Sequence, residues 1–380
     1  ADYSQPQHVE AGYLRCLVDF DSCPDRLALQ GEINGTDIAL LRTLSGGDNV
    51  VGDLVMSRAC PLDSLDLSQC RIVEGGKPYY KNYMTENDVV GKEMFKDCLF
   101  LREIVLPDSL VAIGDNAFAE SGRGDMKTLE IPATVQTIGY APFYGCQGFE
   151  AFAVAEGNTA FKAIDGVLYN YAATELVAYP AAKPDTVYEA VETLTRILPY
   201  AFNEARYLKR FSTNLRLSSI GYGAFYNAWN LEVVTLGARL NKVEEYAFAE
   251  CQALKIVSCA RVNPAECASN AFDGVPEACL LDLPEGFNEE YRTALGWNRF
   301  THVVTPVEEI RAEEPVRVSV SDNGISLWSN RPGEPVAVFS LTGVMVAHAE
   351  TVAGETHIPL SVSGVYIVRL PGFNTKVVVK

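Results

Sequence analysis

Phenylalanine recurs along the chain at the spacing of a repeat protein. The interval is 23 to 25 residues, apart from one interval of 59 between Phe143 and Phe202. A β-branched residue stands five positions before each of the first six members, and apolar residues follow most members at six and nine positions. The seven members, which we call the phenylalanine ladder, are Phe95, Phe118, Phe143, Phe202, Phe225, Phe248 and Phe272. This self-similarity predicts one supersecondary unit per repeat.

Each repeat has the pattern of a short strand, a turn and a compact return segment that carries the phenylalanine inward. Residues 101–106 show the strand pattern, and Pro107 marks the turn that follows. One such unit cannot cover its own apolar face, so neighbouring units must stack. The sequence therefore predicts an α/β repeat solenoid of the leucine-rich repeat class with a period of about 23 residues.

The repeats are predicted to end in caps, because terminal repeats of solenoids are atypical. Residues 62–72 fit the pattern L-x-x-L-x-L-x-x-N/C-x-L, with Ile72 in the last place. We predict an N-terminal cap over 1–60, with a helix over 37–44, then the solenoid over 61–305 with a closing cap over 284–305.

The long interval after Phe143 holds one ordinary unit and about 36 further residues, which predict an inserted hairpin near 157–182. Strand patterns over 167–169 and 176–179 flank a turn at 170–174, and we expect the hairpin to project from the solenoid. In that position Tyr169 and Tyr179 would be candidate binding residues. The alternative, which we favour, is that the hairpin is a packing element.

From Val316 the pattern changes to short strands separated by turns. We predict a linker over 306–315 and a C-terminal β-sandwich over 316–380. The seven predicted strands are 316–320, 325–328, 336–340, 344–348, 356–360, 364–370 and 375–379.

Two of the repeat units, 106–118 and 131–146, resemble the BspA-like leucine-rich repeats of bacterial surface proteins. The Gly157-Asn158 pair with 164–169 and 176–180, and the closing segment from Leu283 to Phe300, resemble the same family, so the likeness covers roughly residues 60–305. The resemblance implies a secreted or cell-surface protein that acts in protein recognition or adhesion, with a host extracellular or surface protein among the expected partners. It does not identify a ligand.

The C-terminal strands carry a second resemblance. Residues 338–344, 364–369 and 376–380 are similar to the C-terminal sorting domain of type IX secretion substrates. This likeness implies export or surface attachment; otherwise the tail is an accessory sandwich.

Charge and hydropathy limit the function further. The chain has 49 acidic and 31 basic residues and a net charge of −18, which disfavours the phosphate contacts of nucleic-acid binding. No apolar run approaches the ~18–20 residues of a membrane span, so we predict no transmembrane segment. The chain opens at Ala1-Asp2 without a signal sequence, and we expect that a signal peptide has been removed.

The sequence shows no catalytic, cofactor-binding or metal-binding motif. It lacks a G-x-S-x-G elbow, a Walker A loop and an H-E-x-x-H pair, and its four histidines share no motif. We therefore predict a protein that is not an enzyme and has no cofactor.

Ten cysteines are present without a Cys-x-x-Cys pair. Cys98, Cys146 and Cys251 each follow their ladder phenylalanine by three residues, which predicts small buried core residues. The candidates for disulfides in an exported protein are Cys16 with Cys23, Cys60 with Cys70, and pairs within Cys259, Cys267 and Cys279.

The concave sheet of a solenoid is its usual binding surface. If alternate strand residues face outward, the candidate binding column comprises Glu103, Val105, Thr128, Glu130, Arg210, Ser212, Val233 and Thr235. The tripeptide Arg123-Gly124-Asp125 lies in an enlarged turn and is a hypothetical integrin-recognition motif.

Two alternatives to protein recognition remain open. A carbohydrate-binding component of a surface glycan system would need exposed aromatic rings on the hairpin or the sandwich. A structural spacer would need neither such rings nor an exposed apolar patch.

Overall fold

The computed structural model describes residues 3–19, 24–47, 61–284, 288–304, 316–321, 324–329, 331–340, 343–360, 362–371 and 373–379. The chain divides into two compact units. The N-terminal unit comprises Ala1–Pro184, Arg196–Tyr207 and Gly221–Ala228; the C-terminal unit comprises Asp185–Thr195, Leu208–Ile220 and Trp229–Lys380. The predicted linker at 306–315 lies outside the described residues.

The N-terminal unit begins with β1 (Gln7–Val9), α1 (Leu14–Leu17), β2 (Arg26–Ile33) and α2 (Gly35–Leu44). Helix α2 starts two residues before the predicted 37–44 because Asn34 caps it: the Asn34 side chain accepts a hydrogen bond from the Thr36 N–H, and Asp37 accepts one from the Asn34 N–H. Asp37 also accepts the N–H groups of Gly12 and Leu14 and so holds the first residues against the helix. The apolar side of α2 joins the core of the first coils.

The coils of the N-terminal unit have short strands on both sides. Strands β1, β2, β3 (Ser64–Ile72) and β7 (Glu103–Val105) form a parallel sheet. The remaining strands before residue 155 are β4 (Gly75–Tyr80), β5 (Tyr83–Thr85), β6 (Val89–Val90), β8 (Ala112–Ile113), β9 (Thr128–Ile131), β10 (Thr137–Ile138) and β11 (Ala151–Val154). Strand β9 pairs with β11, and β4 pairs with β5. Strands β6, β8 and β10 form a separate parallel sheet on the side of the coils that the return segments occupy, which we call the return side.

Three antiparallel strands fill the long interval of the repeat. They are β12 (Phe161–Ile164), β13 (Val167–Asn170) and β14 (Glu175–Ala178). Leu168, Val177 and Ala178 belong to the core of the N-terminal unit. The expectation of a hairpin that projects from the coils is therefore wrong, because the apolar side of this hairpin is needed inside the unit.

The C-terminal unit begins with a six-stranded parallel sheet. Its strands are β15 (Val187–Glu189), β17 (Arg210–Ser212), β19 (Val233–Leu236), β21 (Ile256–Cys259), β23 (Leu280–Asp282) and β24 (His302–Val304). On the return side lie β18 (Ser219–Ile220), β20 (Lys242–Val243) and β22 (Glu266–Cys267), whereas β16 (Arg196–Ile197) pairs with β14 in the N-terminal unit. Helix α3 (Asn288–Thr293) and a 3-10 turn at Trp297–Arg299 follow β23.

The last coil is closed by aromatic residues. Trp297 and Tyr291 are buried, and their polar atoms donate to backbone oxygens: Trp297 Nε1 to Ala265 O and the Tyr291 hydroxyl to Arg261 O, both at 2.9 Å. Phe272 of the ladder packs against Trp297 and Phe300. These rings cover the apolar end that no further coil covers.

The described residues between 316 and 379 form two antiparallel sheets, which we call the C-terminal β domain. Its seven strands are β25 (Arg317–Ser321), β26 (Gly324–Ser329), β27 (Pro335–Ser340), β28 (Met345–Glu350), β29 (Gly354–Pro359), β30 (Gly364–Leu370) and β31 (Phe373–Val379). Each lies within two residues of a predicted strand, so the predicted strands are confirmed. The sheets have the orders β25-β26-β29 and β28-β27-β30-β31 around a core that includes Ile325, Val338 and Val368.

The phenylalanine ladder lies in the core of the coils. Six of its members are fully buried, and Phe143 alone of the seven is only partly covered. Ring centres of successive members lie 5.5 Å apart for Phe95 and Phe118, 4.6 Å for Phe202 and Phe225, and 5.2 Å for Phe248 and Phe272. The rings of each pair are nearly parallel, so each coil supplies the packing surface of the next.

Residues with left-handed backbone flank the ladder. The residues two positions before and after Phe118 are Asn116 (φ +51°) and Glu120 (φ +59°), and most other members of the ladder are flanked in the same way. The three N–H groups at Asn116, Phe118 and Glu120 donate to Tyr140, Pro142 and Tyr144 of the next coil at 2.7–2.9 Å. This conformation costs about 1–2 kcal/mol at a residue with a side chain, and the hydrogen bonds between coils offset that cost.

The cysteine predictions are confirmed in part. Cys98, Cys146 and Cys251 are buried in the core as expected, and burial raises the pKa of the Cys98 and Cys146 thiols to about 12. The predicted disulfides among Cys259, Cys267 and Cys279 are wrong, because each thiol is free and buried in its coil as a small apolar group. Cys23 and Cys60, the partners predicted for Cys16 and Cys70, lie outside the described residues.

The left-handed positions give a first prediction. We expect Asn116→Val to lower the free energy of unfolding by about 1–2 kcal/mol, because a β-branched residue is strained at positive φ. The matched control, Asn116→Gly, should leave it unchanged or slightly raised. Denaturant titration of both variants measures the difference, and equal stabilities would show that the turn does not impose this conformation.

Candidate recognition surface

The sheet face of the N-terminal unit is open. On β7 the side chains of Glu103 and Val105 point outward while Ile104 is buried, and on β9 Thr128 and Glu130 point outward. This is the period-two alternation of a sheet with one solvated face. Val105 is 40% exposed although it is apolar. The structure therefore brings together the first four predicted binding residues on one accessible surface.

These four side chains line a shallow groove of about 400 Å³, which also includes Asp108 and Pro132. A smaller groove of about 160 Å³ adjoins it and shares Glu103 and Val105. Arg26, Ser64 and Asp66 line the smaller groove. We call the two grooves together the open sheet face.

Carboxylates dominate the open sheet face. Asp66, Glu103, Asp108 and Glu130 line it, against one basic residue, Arg26. The Ser64 hydroxyl donates to Glu103 Oε2 at 3.1 Å and fixes the position of that carboxylate. No aromatic ring of the described residues lines either groove. The surface therefore suits a basic polypeptide segment better than a sugar ring that needs a stacking partner.

The corresponding column of the C-terminal unit is covered. Val233, Ile256 and Leu280 stand side by side in register on β19, β21 and β23, and each is at most 1% exposed. Ala337, Phe339 and Met345 of the C-terminal β domain pack against them in one apolar cluster. The C-terminal β domain therefore sits on the sheet face of these coils.

Polar contacts surround this apolar cluster. Arg369 Nη1 lies 2.7 Å from Asp282 Oδ1, and the Arg369 guanidinium lies 4.9 Å from the centre of the Phe339 ring. Asp282 is 1% exposed and also accepts a hydrogen bond from the Ser258 hydroxyl at 2.8 Å. Burial raises the pKa of the Asp282 carboxyl, although Arg369 and Ser258 act in the opposite direction. The carboxylate therefore depends on Arg369 to remain charged in this position.

Two more polar contacts join β28 to the sheet face. His348 Nε2 lies 3.3 Å from Glu232 Oε2, and Arg210 Nη1 donates to Val346 O at 3.4 Å. Burial lowers the pKa of His348, while Glu232 opposes that shift. The imidazole is therefore mainly neutral at pH 7, so its contact with Glu232 is not an ion pair at that pH.

The prediction for the last four residues of the binding column therefore needs correction. Val233 is buried under the C-terminal β domain, Arg210 is bonded to it, and Ser212 and Thr235 are half-buried in the same register. The sequence carried a signal that the prediction missed: outward positions that are polar in the early coils are apolar at Val233, Ile256 and Leu280. An apolar column on a sheet face requires a cover.

The prediction that Tyr169 and Tyr179 of the hairpin are binding residues also needs correction. Tyr169 is 1% and Tyr179 4% exposed, because both rings serve as core residues of the inserted strands. Only Tyr171, in the turn, is exposed. The two predicted residues therefore offer no ring to a ligand.

The tripeptide Arg123-Gly124-Asp125 follows the ladder position of Phe118. Gly122–Gly124 forms a 3-10 turn, and the exposed Asp125 carboxylate lies 3.9 Å from Arg102 Nε. Integrin recognition by this tripeptide stays a prediction. Loss of cell attachment in the Asp125→Glu variant would support it, and unchanged attachment would reject it.

Among the described residues, no group of three or more His, Cys, Asp or Glu side chains is placed to hold a metal ion. Within the same part of the chain, no helix is long and apolar enough to cross a membrane.

Comparison with known proteins agrees with the repeat architecture. The BspA type leucine rich repeat region matches in six copies, over residues 85–170 and 186–291. A leucine rich cell surface protein from Faecalibacterium prausnitzii is similar in structure, with 21% identity, a TM-score of 0.50, and coverage of 74% of this chain and 80% of that chain. At this identity the likeness concerns the fold alone.

Two further solved structures are similar at lower TM-scores. The pneumococcal vaccine antigen PcpA has 21% identity and a TM-score of 0.48, over 66% of this chain and 68% of that chain. A leucine-rich repeat protein from Eubacterium ventriosum has 20% identity and a TM-score of 0.41, over 57% of this chain and 70% of that chain. No curated protein matches the sequence.

The buried ion pair gives a second prediction. Arg369→Met should lower the free energy of unfolding at pH 7 by about 3 kcal/mol, because it leaves the Asp282 carboxylate buried without its partner. In that variant the folded-state pKa of Asp282 rises further, so the loss should be largest at neutral pH and should shrink as pH falls towards 5.

Asp282→Asn with Arg369→Met is the matched control. The double variant removes both charges of the buried pair and leaves neither unpaired, so it should cost less than Arg369→Met alone. Denaturant titrations at pH 7 and pH 5 provide the comparison. A loss in Arg369→Met that does not change with pH would contradict the assignment of the destabilisation to Asp282.

Proposed function

Because the chain belongs to the BspA-type leucine-rich repeat family, we propose that it is an exported, non-enzymatic protein that recognises a partner protein at the bacterial surface. The binding site in this proposal is the open sheet face. Family membership, together with the resemblance of residues 338–380 to a sorting domain, supports the extracellular or cell-surface location. Adhesion to a host extracellular or surface protein is the role that fits these features.

The observation that carries the proposal is the contrast between the two sheet faces. In the C-terminal unit the outward column is apolar and is already occupied by the C-terminal β domain. In the N-terminal unit the outward column is polar, grooved and exposed. A solenoid offers its sheet face to partners, so the open part of that face is the part left for recognition.

Charge indicates the chemistry of the partner. The carboxylates of the open sheet face, Asp66, Glu103, Asp108 and Glu130, would meet basic side chains, and the net charge of −18 would speed the encounter with a basic surface. Val105 supplies an exposed apolar contact among the polar groups. Among the described residues no ring lines either groove, so this face favours a protein partner over a glycan. Tyr171 on the hairpin and Trp328 on β26 are exposed elsewhere, as the glycan-binding alternative requires.

The test is binding of the purified full chain, at physiological salt, to an array of extracellular-matrix proteins, mucins and polysaccharides. We expect a protein ligand. The double variant Glu103→Lys with Glu130→Lys should weaken binding at least about tenfold, because it reverses the charge of the groove.

Glu289→Lys with Glu290→Lys is the matched control, since both residues are exposed on α3 and the double variant makes the same change in net charge. It should bind like the unmodified chain. Equal weakening in both double variants would show a general charge effect and contradict the site. A polysaccharide ligand would favour the glycan-binding alternative, and an array without any ligand would favour the spacer.

A further inference from the structure

Five tyrosines from three coils meet on the return side of the N-terminal unit. Tyr200 lies at the centre, with ring centres 6.1 Å from Tyr140, 4.8 Å from Tyr144, 5.6 Å from Tyr222 and 6.5 Å from Tyr226. Tyr140 is 44% exposed, and the other four rings are partly exposed. We call this group the tyrosine patch. It lies apart from the strands of the open sheet face.

The repeat does not require tyrosine at these positions. Tyr140 and Tyr222 stand three residues before their ladder phenylalanine, and Tyr144 and Tyr226 stand one residue after it. The equivalent positions are Asp115 and Ala119 around Phe118, and Glu245 and Ala249 around Phe248. Coils therefore form with small or acidic residues there, and the concentration of tyrosine in three coils is an addition to the repeat.

The rings do not form a flat platform. The planes of Tyr140, Tyr144 and Tyr226 make angles of 89°, 74° and 81° with the plane of Tyr200. A pyranose ring stacks best on one broad aromatic face, which this arrangement lacks. Steeply inclined rings instead present faces and edges in several directions, which suits the irregular surface of a protein side chain.

Two glutamates are joined to the tyrosine segments by backbone hydrogen bonds between coils. The Glu120 N–H donates to Tyr144 O at 2.7 Å, and the Glu204 N–H donates to Tyr226 O at 3.0 Å. Both carboxylates raise the pKa of Tyr144, after the larger effect of burial, so both act on the patch electrostatically. Glu204 Oε2 is enclosed and has no hydrogen-bond partner among the described residues.

The neighbouring charges leave the patch with an acidic balance. Burial raises the pKa of Glu120, and Asp97 and Glu204 raise it further, while Lys96 acts to lower it. Aromatic faces and carboxylates both attract cations, and the guanidinium group can stack on a ring while it bonds to a carboxylate.

We propose that the tyrosine patch is a second recognition surface, which binds arginine side chains of a partner protein between the rings and the carboxylates of Glu120 and Glu204. Tyr144 and Tyr226 supply the ring faces next to these carboxylates. This surface is independent of the open sheet face and of the function proposed for it.

The test uses the full chain and a fluorescein-labelled peptide in which three arginines alternate with glycine, followed by fluorescence polarisation. A peptide with citrulline in place of arginine keeps the shape and the hydrogen-bonding groups but has no charge. We expect the arginine peptide to bind at least about tenfold more tightly than the citrulline peptide, the ratio that corresponds to ~1.4 kcal/mol.

Variants locate the binding. Tyr144→Ala with Tyr226→Ala, and separately Glu204→Gln, should each weaken binding of the arginine peptide about five- to tenfold. Tyr144→Phe with Tyr226→Phe should retain it, because phenylalanine keeps the ring and its packing. Tyr13→Ala with Tyr171→Ala is the matched control, since both rings are exposed elsewhere on the chain.

Three results would overturn the proposal. Equal binding of the two peptides would exclude recognition of the charge. Unchanged binding in the Tyr144→Ala with Tyr226→Ala variant and in Glu204→Gln would place the peptide elsewhere on this acidic chain. Loss of binding in Glu103→Lys with Glu130→Lys, but not in the patch variants, would assign arginine recognition to the open sheet face instead.

Discussion

Each coil of this protein has an apolar inner side and a row of backbone N–H groups that only the next coil can satisfy. The left-handed residues at Asn116, Glu120 and Glu204 direct those N–H groups towards the neighbouring coil, where they bond to its carbonyl oxygens. Because no coil is complete alone, the ends need caps of a different kind. Helix α2 covers the first coils, and Trp297 with Phe300 closes the last.

The same requirement extends to the outer face of the sheet. Where that face is polar, as at Glu103 and Glu130, water covers it and a partner can replace the water. Where it is apolar, as at Val233 and Leu280, the protein supplies its own cover in the C-terminal β domain. The buried pair of Asp282 and Arg369 fixes that cover in place, because either charge without the other would be unfavourable. The proposed recognition of a partner therefore uses the early coils.

Periodicity made most of the fold predictable, whereas contacts between distant segments were not. The ladder from Phe95 to Phe272 and the strands of the C-terminal β domain follow from spacing and alternation, which are local signals. Phe339 packs in one apolar cluster with Val233, although the two residues are about a hundred positions apart in the sequence. No local pattern encodes that contact. Cysteine spacing did not reveal that Cys259 is a core residue, and the hairpin pattern did not reveal that Tyr169 faces inward. Likewise, the tyrosine patch becomes visible only when the coils of Phe143 and Phe202 are adjacent.

The most direct test of this account is the accessibility of the two sheet faces in the full chain, measured by hydroxyl-radical footprinting with mass spectrometry. The account predicts rapid oxidation of Val105 and slow oxidation of Val233, Ile256, Leu280 and Phe339, since the last four are buried against one another. Oxidation of Val233 and Leu280 at the rate of Val105 would contradict it. In that case the C-terminal β domain would not cover the sheet, and the whole face would be open to partners.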